Sequence, residues 1–162
     1  MKRQEKIEAR LLEMPLYDYA FFPVKDIIFT QDVRTICAMN DCGMYGRRWV
    51  CPPVIGSIED CIAECQAYAH AFLFSTVTEV ADSFDLKACV EARGDHEGIT
   101  YEVAQIFRQE TENPLILSTG CIPCEHCAYP DAPCRHPERA FKTIESHGIM
   151  IMQMAAQQGL NY

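Results

Sequence analysis

The chain has 162 residues, a formal net charge of −9 and ordinary apolar and charged fractions of 49% and 23%, which is enough for one domain with a genuine hydrophobic core. That charge argues against a nucleic-acid footprint, because phosphate binding needs clustered Lys and Arg. The polar start of the chain and the lack of any long apolar run argue against a leader and a membrane span.

The expectation is therefore a soluble, cytoplasmic protein with no membrane or nucleic-acid partner, organised as a single metal-binding domain over residues 1–162. Ten cysteines without a secretion signal favour metal ligation over disulfides, since thiols in a reducing compartment seldom pair structurally.

Along the chain, residues 2–13 read as an amphipathic helix carrying Ile7, Leu11 and Leu12, ended by Pro15. Residues 26–29 read as a short strand, and Thr30 is placed to cap a short helix running toward Cys37. Residues 37–56 hold three glycines and the run Cys51-Pro52-Pro53, the composition of a loop. Ser57 caps a helix over 58–68, and the Phe-rich run 71–77 reads as a central strand.

Two further helices are expected, over 85–92 and 96–110, the second with Ile99, Val103, Ile106 and Phe107 on one face and Gly94 ahead of it. Leu115-Ile116-Leu117 reads as a buried strand leading to Gly120. His136-Pro137 opens a helix to about residue 147, with Gly148 as its stop. Residues 149–158 fit either a short strand or a helix. The pattern implies an α+β (or α/β) class, with a small sheet covered by helices and metal-binding loops rich in cysteine.

The chemistry concentrates in two loops. In the second, residues 120–137, Cys121-x2-Cys124-x2-Cys127 places three thiols every third residue, and Cys134 follows after six. The triple is the core of the bacterial ferredoxin run, in which one tight loop wraps three corners of a cuboidal cluster. Pro130 and Pro133 stiffen the gap, so that Cys134 can close the same site. A structural zinc site is the alternative, although zinc sites more often read as two separated Cys-x2-Cys knuckles.

Arg135, His136 and Arg139 suit the surroundings of a thiolate site, while Arg139 alone reads better as a solvent-facing residue. His126 reads as a surface residue.

In the first loop, residues 37–53, Cys37, Cys42 and Cys51 are interleaved with Tyr45, Arg47, Arg48 and Trp49. Three thiols hold a cluster with one open iron, or a fourth ligand comes from Cys61 or Cys65, one helical turn apart. Both share an apolar stripe with Ile58, Ile62 and Tyr68, where cysteine is more often core than ligand. Cys89 stands apart and reads as core. Asp95, His96 and Glu97 could be a catalytic group, but such a run is more often a polar helix start.

Together the motifs Cys37-x4-Cys42-x2-Tyr45-Gly46-x2-Trp49-x-Cys51-Pro52-Pro53 and Gly120-Cys121-x2-Cys124-x2-Cys127-x6-Cys134-Arg135-x-Pro137 resemble the cysteine-rich predicted metal-binding (iron–sulfur) protein family of unknown function from anaerobic prokaryotes. The resemblance runs from about residue 26 to the end. It implies metal binding at the seven cysteines and, because family members continue past the position matching Tyr162, a shortened chain with one exposed sheet edge.

Three functions are carried forward: an electron-transfer protein holding one or two [4Fe–4S] clusters and serving a redox protein partner; an enzyme with an open iron at the first constellation; and a zinc-stabilised interaction module. Whether the protein is an enzyme, and its oligomeric state, are left open at this stage. No phosphate loop, dinucleotide fingerprint or nucleophile elbow points to other chemistry.

Overall fold

The computed structural model describes residues 2–162. It is a mixed α+β arrangement in which five helices surround two separate two-stranded sheets.

Helix α1 (Arg3–Leu11) buries Ile7 and Leu11, four residues apart on one face. Leu12, read from sequence as part of that face, lies past the helix end and is exposed.

The first sheet is an antiparallel pair, β1 (Asp18–Pro23) and β2 (His70–Ser75), in the register Asp18↔Ser75 to Pro23↔His70. Sequence reading placed the first strand at 26–29. The aromatic run Tyr19-Ala20-Phe21-Phe22 is the strand instead, because its side chains meet those of β2: Phe21 and Phe72 have ring centroids 4.8 Å apart. Val24–Asp26 forms a 3-10 turn, and Phe29 makes only a single bridge, to Ile149.

The sheet separates two apolar clusters. On one side Phe21, Phe72 and Phe74 pack against Ile7, Leu11, Val103 and Ile106, so α1 and the later helix that carries Val103 and Ile106 form that layer. On the other, Phe22 and Leu73 join Cys65, Ile149 and Met154.

Helix α2 (Asp32–Met39) begins where the Thr30 hydroxyl accepts the Asp32 N–H at 3.2 Å. Helix α3 (Ile58–Gln66) starts at Ser57, whose hydroxyl accepts the Asp60 N–H while the Asp60 carboxylate accepts the Ser57 N–H, a reciprocal cap.

Helix α4 (Leu86–Glu110) is one uninterrupted helix of 25 residues, where the sequence suggested two. Gly94 and Gly98 have open space where a Cβ would stand. Each costs a helix about 1 kcal/mol relative to Ala, less than the packing of Val103, Ala104 and Ile106 returns.

The second sheet is a parallel pair, β3 (Leu117–Ser118) and β4 (Lys142–Thr143). The helix expected over 136–147 is replaced by two 3-10 turns, Pro137–Arg139 and Glu145–His147, on either side of β4. Pairing with β3 and burial of Phe141 hold that segment extended. Gly148 ends it at φ +78°, and a Cβ there would stand 2.8 Å from the Thr30 carbonyl oxygen. Helix α5 (Ile151–Gln157) resolves the strand-or-helix choice near the end of the chain. No helix among the described residues is long and apolar enough to cross a membrane.

Candidate metal centre

Both cysteine loops leave regular elements that position them. Helix α2 carries Cys37 in its last turn and stops at Asn40, which adopts the left-handed conformation at φ 59°. The Asn40 side-chain carbonyl then accepts the Tyr45 N–H at 3.0 Å, turning the chain back. The Gly46 N–H closes on the Pro52 carbonyl at 2.8 Å, so Cys51 is held in a folded loop rather than a mobile one.

The second loop leaves the end of β3. Glu97, buried on α4, accepts bonds from the Ser118 and Thr119 hydroxyls and from the Thr119 N–H at 3.1 Å. Arg93, one turn earlier, donates from Nε to the Thr119 hydroxyl and from Nη2 to its carbonyl, both at 3.1 Å. Gly120 follows at φ +122°, with the Arg93 guanidinium 3.0 Å from where its Cβ would be. Helix α4 thus fixes the point from which the loop departs.

The two loops are tied together. Arg48 donates to the Cys121 carbonyl. The Trp49 indole N–H donates to the Ala132 carbonyl at 3.1 Å, and its ring meets Tyr129 edge-on with centroids 4.9 Å apart. Arg135 donates to the His126 carbonyl at 2.9 Å across the base of the second loop.

Cys121, Cys124, Cys127 and Cys134 line one narrow pocket, together with Arg48, Trp49, Val50, Arg135 and His136. Its free volume is about 20 Å3, on a measure by which one water needs roughly 10–15 Å3. No three His, Cys, Asp or Glu side chains among the described residues converge closely enough to hold a metal ion. The thiols frame a space rather than meet at a point. In donor chemistry they fit a metal–thiolate centre: four soft ligands, all half-buried, with two guanidiniums beside them.

The electrostatics follow this arrangement. Burial is the main force pushing the Cys121 thiol up to about 11; neighbouring Cys134, Cys124 and Cys127 add to the rise, while Arg48 opposes it. Burial likewise raises Cys37 and Cys51. Cys37 and Cys51 also feel Cys42, and Cys51 feels Cys127, so the first group of three adjoins the second. Arg48 lowers Cys51 as well as Cys121, standing between the two groups.

Cys61 and Cys65 lie elsewhere. Cys61 is 1% exposed, accepts a bond from Arg34 Nη2 at 3.3 Å and donates to the Ile55 carbonyl. Cys65 sits in the apolar cluster with Phe22 and Leu73, and burial drives its thiol up to about 12. Cys89 is exposed near the start of α4.

Arg139 does not line the pocket; its guanidinium lies over the Tyr101 ring, 4.7 Å from the centroid. His126 is exposed. Of the run Asp95, His96 and Glu97, only Glu97 reaches the departure point of the loop, while His96 bonds Thr76 at 2.8 Å and stacks on Phe74.

Two positioning roles escaped the sequence reading: Arg93 was not singled out, and Glu97 was weighed, with Asp95 and His96, as a catalytic group or a polar helix start rather than as the anchor of the loop. The available signal was their spacing of four on one helix, with nothing local to say that a strand end would lie against that face.

No curated protein and no solved structure matches the chain. The family model described as Predicted metal-binding protein (DUF2284) matches residues 20–162, and the chain belongs to that family.

Proposed function

We propose that the protein is a small electron-transfer protein that holds a [4Fe–4S] cluster on Cys121, Cys124, Cys127 and Cys134, and that Cys37, Cys42 and Cys51 form a second iron–sulfur site beside it. The observation that carries this reading is that the four thiols of the triple-cysteine loop and its follower frame one pocket. A continuous triple with that spacing belongs to cluster-binding loops more than to zinc knuckles.

A bound cluster would supply one-electron redox chemistry. The protein's own part is to hold the loop by Glu97 and Arg93, to offset thiolate charge with Arg48 and Arg135, and to cover the site with Trp49. A redox protein partner and a reducing, cytoplasmic setting go with this role.

The placement of Cys61 and Cys65 favours a second reading of the first site. Both are engaged in the core, which leaves three thiols there and room for an open iron acting as a Lewis acid. Iron content of separate Cys61→Ala and Cys65→Ala variants decides this: unchanged iron keeps the open-site enzyme reading, and loss of one cluster removes it.

The electron-transfer reading predicts a brown protein whose broad visible absorbance bleaches with dithionite. A colourless protein carrying only zinc after anaerobic purification would overturn it in favour of a zinc-stabilised interaction module.

A further inference from the structure

Arg48 belongs to one cysteine loop and reaches into the other. Its main-chain carbonyl accepts the Cys51 N–H at 3.2 Å, inside the first loop. Its side chain crosses to the second, where Nη1 donates to the Cys121 carbonyl, and it lines the narrow pocket framed by Cys121, Cys124, Cys127 and Cys134. One residue therefore has its backbone on a candidate ligand of the first group and its charge among those of the second.

The other arginines of the two loops are placed differently. Arg135 also lines the pocket, but it is exposed, and its bond to the His126 carbonyl stays within the second loop. Arg47 adjoins Arg48 in sequence, yet it is exposed and does not line the pocket. Solvent and salt screen an exposed charge more than a half-buried one. Arg48 is half-buried, and of the three it is the cation in a position to act on both groups. Its opposition to the upward shift of both Cys51 and Cys121 agrees with that placement.

A guanidinium keeps its charge at every working pH, so Arg48 is a constant of the site rather than a switch. A cation beside a thiolate-bound cluster favours the reduced form, which carries one more negative charge, and so raises the reduction potential.

We propose that Arg48 is a positioning residue shared by the two sites: it ties Cys51 and Cys121 into one unit and raises the reduction potentials of both clusters with a single charge. Arg135 tunes the second-loop cluster alone. This role rests on the iron–sulfur reading of both sites. Tied by one residue, the two centres respond together to a change at Arg48, where independently supported centres would respond separately.

The test takes the full chain prepared anaerobically, counts iron and labile sulfide, and follows both clusters by EPR through a redox titration, with Cys124→Ser assigning the signal of the second loop. Arg48→Gln should lower both midpoint potentials, and Arg48→Lys should recover most of both. Arg135→Gln should lower the second-loop potential alone, and Arg47→Gln should move neither. A shift at one site or none in Arg48→Gln, or equal shifts in Arg48→Gln and Arg48→Lys, overturns the proposal.

If Arg48→Gln holds no iron, Arg48→Lys decides. Two clusters near the wild-type potentials support the shared charge, and loss of iron from this variant too, or lowered potentials in it, overturns it. A wild-type chain with two zinc ions and no sulfide removes the electron-transfer reading, and the same variants are then compared by zinc release to EDTA. Faster release of both ions from Arg48→Gln keeps Arg48 as the shared positioning residue; faster release of one or neither overturns that role. A single metal centre per wild-type chain, or none, overturns it outright.

Discussion

Trp49 and Tyr129 meet edge to face, 4.9 Å between ring centroids, and this contact joins the two cysteine loops across 79 residues of intervening sequence. With the indole bond to the Ala132 carbonyl, it makes the loops one structural unit, although each has its own supporting elements.

Trp49→Ala removes an aromatic pair worth about 0.5–1.5 kcal/mol beyond its area and a hydrogen bond worth about 1 kcal/mol. The expected loss is about 1–3 kcal/mol in urea unfolding. Trp49→Phe should recover the aromatic part and leave a deficit of about 1 kcal/mol. Equal losses in the two variants would mean that the ring contact contributes little.

Cys134→Ser should reduce bound iron and visible absorbance, since the triple would lose its fourth thiolate. Cys89→Ser, at an exposed position outside both groups, should leave both unchanged. A Cys134→Ser protein with full metal content would remove Cys134 from the ligand set.

Glu64 holds His147 Nε2 and Lys142 Nζ, each at 2.9 Å, beneath the second sheet. Burial alone would raise its carboxyl, but the bonds from His147 and Lys142, with the Lys142 charge, outweigh burial and hold it below the usual value of 4.5. A carboxyl lowered by folding contributes stability that is present above its unfolded pKa and is lost as pH falls through the folded one.

Stability should accordingly decline below about pH 4.5, with Glu64→Gln flattening that decline and costing up to about 1 kcal/mol at neutral pH, because solvent screens a carboxylate that is 38% exposed. Acid titrations followed by circular dichroism on both proteins supply the comparison. An unchanged slope in the variant would assign the acid sensitivity to other carboxylates.

Gly148→Ala should be costly, because the site combines φ +78° with a Cβ position 2.8 Å from the Thr30 carbonyl oxygen. The left-handed conformation alone costs an L-residue about 1–2 kcal/mol, and the close approach adds to it. Gly94→Ala, in open space on α4, should instead stabilise by up to about 1 kcal/mol. Thermal melts of the pair test both signs at once.

What was legible in the sequence was local. Ser57 and Asp60 form a cap between near neighbours, and the run from Cys121 to Cys134 is a spacing pattern, so each could be read without the fold. β1 was misplaced because the aromatic run 19–22 becomes a strand through its partner Phe72, 51 residues from Phe21. The segment 136–147 carries a proline at the start and a glycine at the stop, as a helix would, yet pairing with β3 keeps its middle extended. Gly94 looked like a break because propensity is summed locally, whereas the helix is held by what Val103 and Ile106 bury.

The central claim is that the four thiols of the second loop carry an iron–sulfur cluster. Iron and acid-labile sulfide analysis with EPR on anaerobically prepared protein tests it most directly. The account predicts iron and sulfide in about equal amounts, about four of each per cluster, and an EPR signal that Cys124→Ser removes or alters. Protein with stoichiometric zinc, no labile sulfide and no EPR signal before or after dithionite reduction would contradict it.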